Sequence, residues 1–74
     1  MAYSSLTARQ IREADPELLG VKFGLLCLER DIPIADVADY LHVSPPTVYA
    51  WFRGETVVSE KHAGTVAELL KKLT

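Results

Sequence analysis

The side chains able to do chemistry divide into a scattered set and a concentrated one. The scattered set holds Cys27, His42, His62 and the carboxylates. The cysteine and the two histidines lie too far apart in the sequence for a zinc site, so no metal and no cofactor are expected. Gly20 and Gly24 are not followed by the Lys and Ser/Thr that a phosphate-cradling loop requires. The carboxylates fall on helix surfaces and give no sign of a shared pocket. Cys27 lies in the apolar run Gly24-Leu25-Leu26-Cys27-Leu28, which suits a buried structural thiol rather than a nucleophile. The chain therefore reads as a non-enzyme without a small-molecule substrate.

The concentrated set is Thr47, Tyr49 and Arg53, whose donors suit recognition rather than turnover. From His42 to Gly54 there is no acidic residue, and Arg53 is the only full charge. Acids gather elsewhere, at Glu13, Asp15 and Glu17, at Glu29 and Asp31, and at Asp36 and Asp39. Eight basic residues against ten acidic ones give a net charge of −2, the wrong sign for a generic nucleic-acid binder. Any contact with nucleic acid is expected from one neutral-to-basic face over an acidic back. Weak nonspecific affinity follows, because counterion release scales with the phosphates neutralised.

The elements that position these residues are helical. The sequence has 74 residues, enough for one domain, and 49 % of them are apolar, which argues against disorder. A lone cysteine rules out a disulfide framework, and the longest apolar run is far too short to cross a bilayer. The opening Met-Ala-Tyr-Ser-Ser lacks the pattern of a secretory signal, so a soluble protein in a reducing cytosol is expected, with no membrane contact. Punctuation predicts an all-α bundle of five short helices. Ser4 or Ser5 caps the first, which runs to near Ala14 with Leu6, Ile11 and Ala14 inward. Asp15-Pro16-Glu17 starts the second, with Asp15 as N-cap and Pro16 at its first position. That helix runs to near Arg30 and is apolar over most of its girth, with Leu18, Val21, Leu25 and Leu28 on one face and Leu19, Phe23 and Leu26 beside it. It must be central to the core or covered in part by a second subunit. Gly20 and Gly24, one turn apart, offer a flat strip for close helix contact. Ser59 caps a last helix to Leu73, with Val66, Leu69, Leu70 and Leu73 apolar.

Residues 34 to 54 satisfy the requirements of two short helices crossing through a tight turn. Val37 and Leu41 are apolar one turn apart, and small Ala38 sits where the helices come closest. His42 takes the turn position that needs positive φ, and Val43 plugs the core behind it. Val48 and Trp51 bury the second helix, leaving its other face free. This constellation, with the ending Trp51-Phe52-Arg53-Gly54, resembles the helix-turn-helix of the lambda-repressor-like (phage Cro/repressor-type, XRE-like) DNA-binding family. The helix from Ser59 to Leu73 is similar to the one that commonly follows the motif there. Two positions depart from the pattern. His42 stands where Gly is usual, at some cost in backbone energy. Ile34 stands where many members place a Gln available to a backbone phosphate.

The resemblance implies that the second motif helix, about 45–53, enters the major groove with its first residues against base edges. Ser44 is then the N-cap and Pro45, Pro46 and Thr47 form the first turn. The prolines give up N–H donors and act by shape, their ring methylenes suited to thymine methyl groups. Thr47, Tyr49, Ala50 and Arg53 turn away from Val48 and Trp51. Thr47 and Tyr49 donate to bases or phosphates, and Arg53 suits guanine or the backbone. Thr56, Lys61 and His62 are candidate phosphate contacts beyond the helix. Trp51 is core and has no assigned DNA role. The function implied is a sequence-specific transcriptional regulator, a small phage or bacterial repressor binding double-stranded operator DNA as a homodimer in the cytoplasm. The other function these features allow is a helix-turn-helix used for protein contact, as in an antitoxin or a polymerase-binding inhibitor.

Overall fold

Helices α1 (Ser5–Glu13), α2 (Leu19–Glu29), α3 (Ile34–Leu41), α4 (Pro45–Phe52) and α5 (Glu60–Leu73) follow one another through short turns. A computed structural model describes residues 2–74, and no strand occurs among them. The fold is all-α, as the punctuation predicts.

The second helix is the central post. It packs against α1, α4 and α5, which answers why its sequence is apolar nearly all round. Gly20, Val21, Phe23, Gly24, Leu26 and Cys27 are buried, while Leu18, Leu19, Leu25 and Leu28 are half-buried. Two glycines set the distance to α4. A Cβ at Gly20 would lie 2.7 Å from the Trp51 carbonyl oxygen, and one at Gly24 would lie 2.8 Å from Phe52 Cγ. The flat strip is therefore used inside the chain, as the seat of α4. Phe23 meets Phe52 edge-on there, with ring centroids 5.8 Å apart and planes at 87°. Ile11, Val21, Val48, Phe52, Val66 and Cys27 are the most completely buried side chains. Full burial of a Val, Ile or Phe side chain is worth roughly 1.5–3 kcal/mol, so this cluster carries much of the stability of so short a chain.

One helix start and one inward face differ from the sequence expectation. Asp15 and Pro16 do not open α2, which begins at Leu19 after the extended residue Leu18, with no side-chain cap. Asp15 instead closes its own turn: Oδ1 accepts from the Glu17 N–H (2.9 Å), and its carbonyl accepts from the Leu18 N–H (3.2 Å). An Asx-type turn competes with helix initiation for the same side-chain acceptor, and here the turn holds it. In α1 the inward residues are Ala8 and Ile11, while Leu6 is exposed; Ala14, just past the helix, is half-buried. The first helix does start as expected, with the Ser4 Oγ accepting from the Thr7 N–H (3.2 Å).

One anchor was not anticipated. Tyr3 is buried, and its hydroxyl donates to the Ile32 carbonyl (2.6 Å). Beside it the Ala2 N–H donates to Asp31 Oδ1 (2.7 Å). Asp31 is left-handed (φ 55°) and ends α2, letting the Ile32 N–H reach back to the Cys27 carbonyl (2.8 Å). The segment before α1 is thus tied to the α2–α3 corner. Burial, followed by the nearby Cys27, Tyr49 and Asp31, holds the Tyr3 hydroxyl protonated well above the usual phenol range.

Candidate nucleic-acid interface

The corner between α3 and α4 is built as its sequence requires. His42 adopts φ 58° and ψ 43°, and its N–H returns to the end of α3. The Val43 N–H then donates to the Ala38 carbonyl (3.0 Å), a helix stop of the kind glycine usually supplies. Val43 turns inward against the core, and Val37, Ala38 and Leu41 are buried between α3 and its neighbours. Holding His rather than Gly at positive φ costs on the order of 1 kcal/mol. The corner is fixed nonetheless, because Val48, Trp51 and Phe52 anchor α4 from behind.

At its start α4 is poor in donors. Ser44 is the extended N-cap residue, and Pro45 and Pro46 occupy the first helical positions. Prolines are tolerated there because the first N–H groups of a helix lack internal partners. Ser44 caps no N–H. Its Oγ shares a hydrogen bond with Thr47 Oγ1 (2.9 Å), while the Thr47 N–H bonds the Ser44 carbonyl (3.0 Å). The tip of α4 thus shows two exposed pyrrolidine faces beside one linked pair of hydroxyls. Thr47, Tyr49 and Ala50 are half-buried along the same helix.

Arg53, just past the helix, is held more closely than its sequence position suggests. Its Nη2 donates to Glu55 Oε1 at 3.0 Å, and its Cζ lies 5.8 Å from the centroid of the Tyr49 ring. Its Nε is shut away from solvent with no hydrogen-bond partner. Gly54 makes this possible. At φ 74° it ends α4 and sends the Glu55 N–H back to the Ala50 carbonyl (2.9 Å), returning residue 55 to the last helical turn. Glu55 escaped the sequence reading. The signal was an opposite charge two residues away across a helix-ending glycine, easy to pass over when only the acid-free stretch is weighed.

The remaining candidates lie on the approach to α5. Thr56 is exposed, with its N–H directed at the Ala50 carbonyl (3.4 Å). Lys61 is exposed in the first turn of α5, after Ser59, whose side chain makes no capping bond. His62 is half-buried and lies against Trp51, with ring centroids 5.7 Å apart, tying α5 to α4. Trp51 itself is buried. Among the described residues, no three His, Cys, Asp or Glu side chains are grouped to hold a metal ion, and no helix is long and apolar enough to cross a membrane. Burial pushes the Cys27 thiol up to about 12, far from the thiolate a nucleophile needs.

This geometry is that of a known class. The model of a family described as Helix-turn-helix matches residues 25–73, from the middle of α2 to the end of α5. The chain belongs to this family, the lambda-repressor-like, XRE-type helix-turn-helix proteins. It is a DNA-binding helix-turn-helix regulator, from a family of regulators and not of enzymes. No curated protein and no solved structure matches the chain.

Proposed function

We propose that this protein is a sequence-specific transcriptional repressor, of phage or bacterial type, which occupies operator DNA in the cytoplasm and excludes polymerase. Pro45, Pro46, Thr47, Tyr49 and Ala50 meet base edges, with Ser44 and Thr56 at the flanking backbone. Arg53 takes an acceptor pair such as that of guanine, and Lys61 and His62 approach phosphates. The observation that carries this reading is the seating of α4. Val48, Trp51 and Phe52 are buried against α2 and α3, while Pro45 and Pro46 stand exposed at the tip, in a stretch without an acidic residue. The helix is rigidly presented and its leading turn is open to a groove.

The protein acts as a dimer on a palindromic site. One recognition helix with one arginine makes few base contacts, and two half-sites about one DNA turn apart double them. The whole chain forms one domain, with α1 packed against α2. Selection of bound duplexes from a random pool, followed by a salt titration of the winning sequence, tests the proposal. A palindrome should emerge, its affinity should fall as salt rises, and Arg53→Ala should weaken binding and relax the sequence preference at the position it reads.

A second reading, a module for protein contact, is favoured by the net charge of −2 and by an apolar cleft of about 130 Å³ between α2, α3 and α5. Phe23, Ile32, Val37, Tyr40, Leu69 and Leu73 line it. A selection that returns no sequence, with no salt-dependent duplex binding, replaces the repressor reading by this one.

A further inference from the structure

The ion pair at the end of α4 lies where a DNA reader would be expected to keep its cation free. Arg53 is the only full charge from His42 to Gly54, and the next residue along is Glu55, so the recognition helix with its cap is electrically neutral. The pair is formed in the free protein, at 3.0 Å, with side chains 31 % and 58 % exposed for Arg53 and Glu55. Such an exposed pair contributes little to stability. Its effect falls on what Arg53 can do.

A guanidinium has five N–H donors in a planar fork. In Arg53 the Nε–H is enclosed without a partner, one Nη2 hydrogen goes to Glu55, and the plane lies near the Tyr49 ring. Three donors of the five remain, on a group that can no longer sweep across the surface. A loose arginine pairs with any phosphate it meets, which is the source of sequence-independent affinity. Arg53 meets a phosphate only alongside a carboxylate that repels it. The exchange becomes favourable where an acceptor pair fixed in a base edge engages the remaining donors together.

We propose that Glu55 is a specificity-determining positioning residue: it neutralises Arg53 toward the phosphate backbone and holds its fork for a base edge. This rests on the DNA-binding reading above. Glu55 acts by lowering nonspecific affinity more than specific affinity, which widens the ratio between them.

The test uses the full chain, Glu55→Gln, and as a control Glu17→Gln, which removes the same charge from an exposed turn before α2. Two readouts are taken. The first is affinity for the selected duplex and for a random-sequence duplex across a salt series. Glu55→Gln should raise random-duplex affinity on the order of three- to tenfold, steepen its salt slope by about 0.9, and lower the specific-to-random ratio. Glu17→Gln should leave the ratio unchanged. The second readout needs no DNA: the Arg53 side-chain N–H resonances of the free protein should be resolved in the wild type and averaged in Glu55→Gln. A random-duplex affinity unmoved by Glu55→Gln overturns the proposal. So does an equal change toward both duplexes, an equal effect of Glu17→Gln, or an Arg53 fork that is averaged in the wild type. If the fork is held but neither wild type nor variant binds any duplex salt-dependently, the DNA reading fails and takes this role with it.

Discussion

A single methyl group added at Gly20 should unseat α4. The new Cβ would lie 2.7 Å from the Trp51 carbonyl oxygen, 3.0 Å from Trp51 Cβ and 3.1 Å from its carbonyl carbon. Ordinary contact begins near 3.4 Å, so α2 and α4 must separate by about 0.7 Å or bend. Two of the three opposing atoms are backbone, and the third is the first atom of a buried Trp, so no flexible side-chain end can yield. Overpacking of this kind costs roughly 1–3 kcal/mol, here toward the upper end. Replacing a helical Gly by Ala returns about 1 kcal/mol through backbone propensity. The net expectation is a loss of about 2 kcal/mol. For a chain of this size that lowers the melting temperature by roughly 8–16 °C. Gly64→Ala is the internal control. Gly64 is an exposed residue of α5 with nothing within 4 Å of its would-be Cβ, so only the propensity gain applies. It should raise stability by roughly 0.5–1 kcal/mol. Thermal unfolding followed by circular dichroism reads both variants. A Gly20→Ala protein at least as stable as wild type, or two variants shifting in the same direction, refutes the claim that backbone contact at Gly20 sets the position of α4.

Three further outcomes are expected. The folded Cys27 thiol titrates near 12 against 9.0 for an open thiol, so the unfolded chain releases this proton first. Stability should be complete below about pH 9 and fall as pH rises toward 12, at up to about 1.4 kcal/mol per pH unit from this group. Urea unfolding across the alkaline range should show a shallower decline for Cys27→Ala, and identical slopes would exclude the effect. Tyr3→Phe removes the donor to the Ile32 carbonyl and should cost about 1–2 kcal/mol by the same assay, with a loss below ~0.3 kcal/mol counting against the anchor. If Pro45 and Pro46 contact thymine methyl groups, replacing thymine by deoxyuridine in the selected duplex should weaken binding severalfold at particular positions. Binding indifferent to every such replacement would leave the prolines as helix starters only.

Much of this protein is legible in its sequence because local and tertiary requirements coincide there. The turn at His42-Val43, the burial of Val48 and Trp51, the glycine strip at Gly20 and Gly24, and the capped start at Ser4 each follow from residue type and helical spacing. An all-round apolar α2 has to be central to the core or covered in part by a second subunit, and within the chain it packs against α1, α4 and α5. What the sequence leaves open are choices among partners of similar energy. Asp15 has the features of a helix cap, yet its carboxylate closes a turn with Glu17 because α2 is placed by packing and starts only at Leu19. Leu6 fits an inward stripe, but α1 lies so that Ala8 and Ile11 meet the core. Tyr3 finds the Ile32 carbonyl across a separation in sequence that no local rule spans. The same holds at the C-terminal end of α4. Residue types give an arginine free to reach outward; the chain's return at Gly54 places a carboxylate on it. Periodicity reports which side of a helix is buried, while the pairing of one charge with another depends on where the backbone goes next.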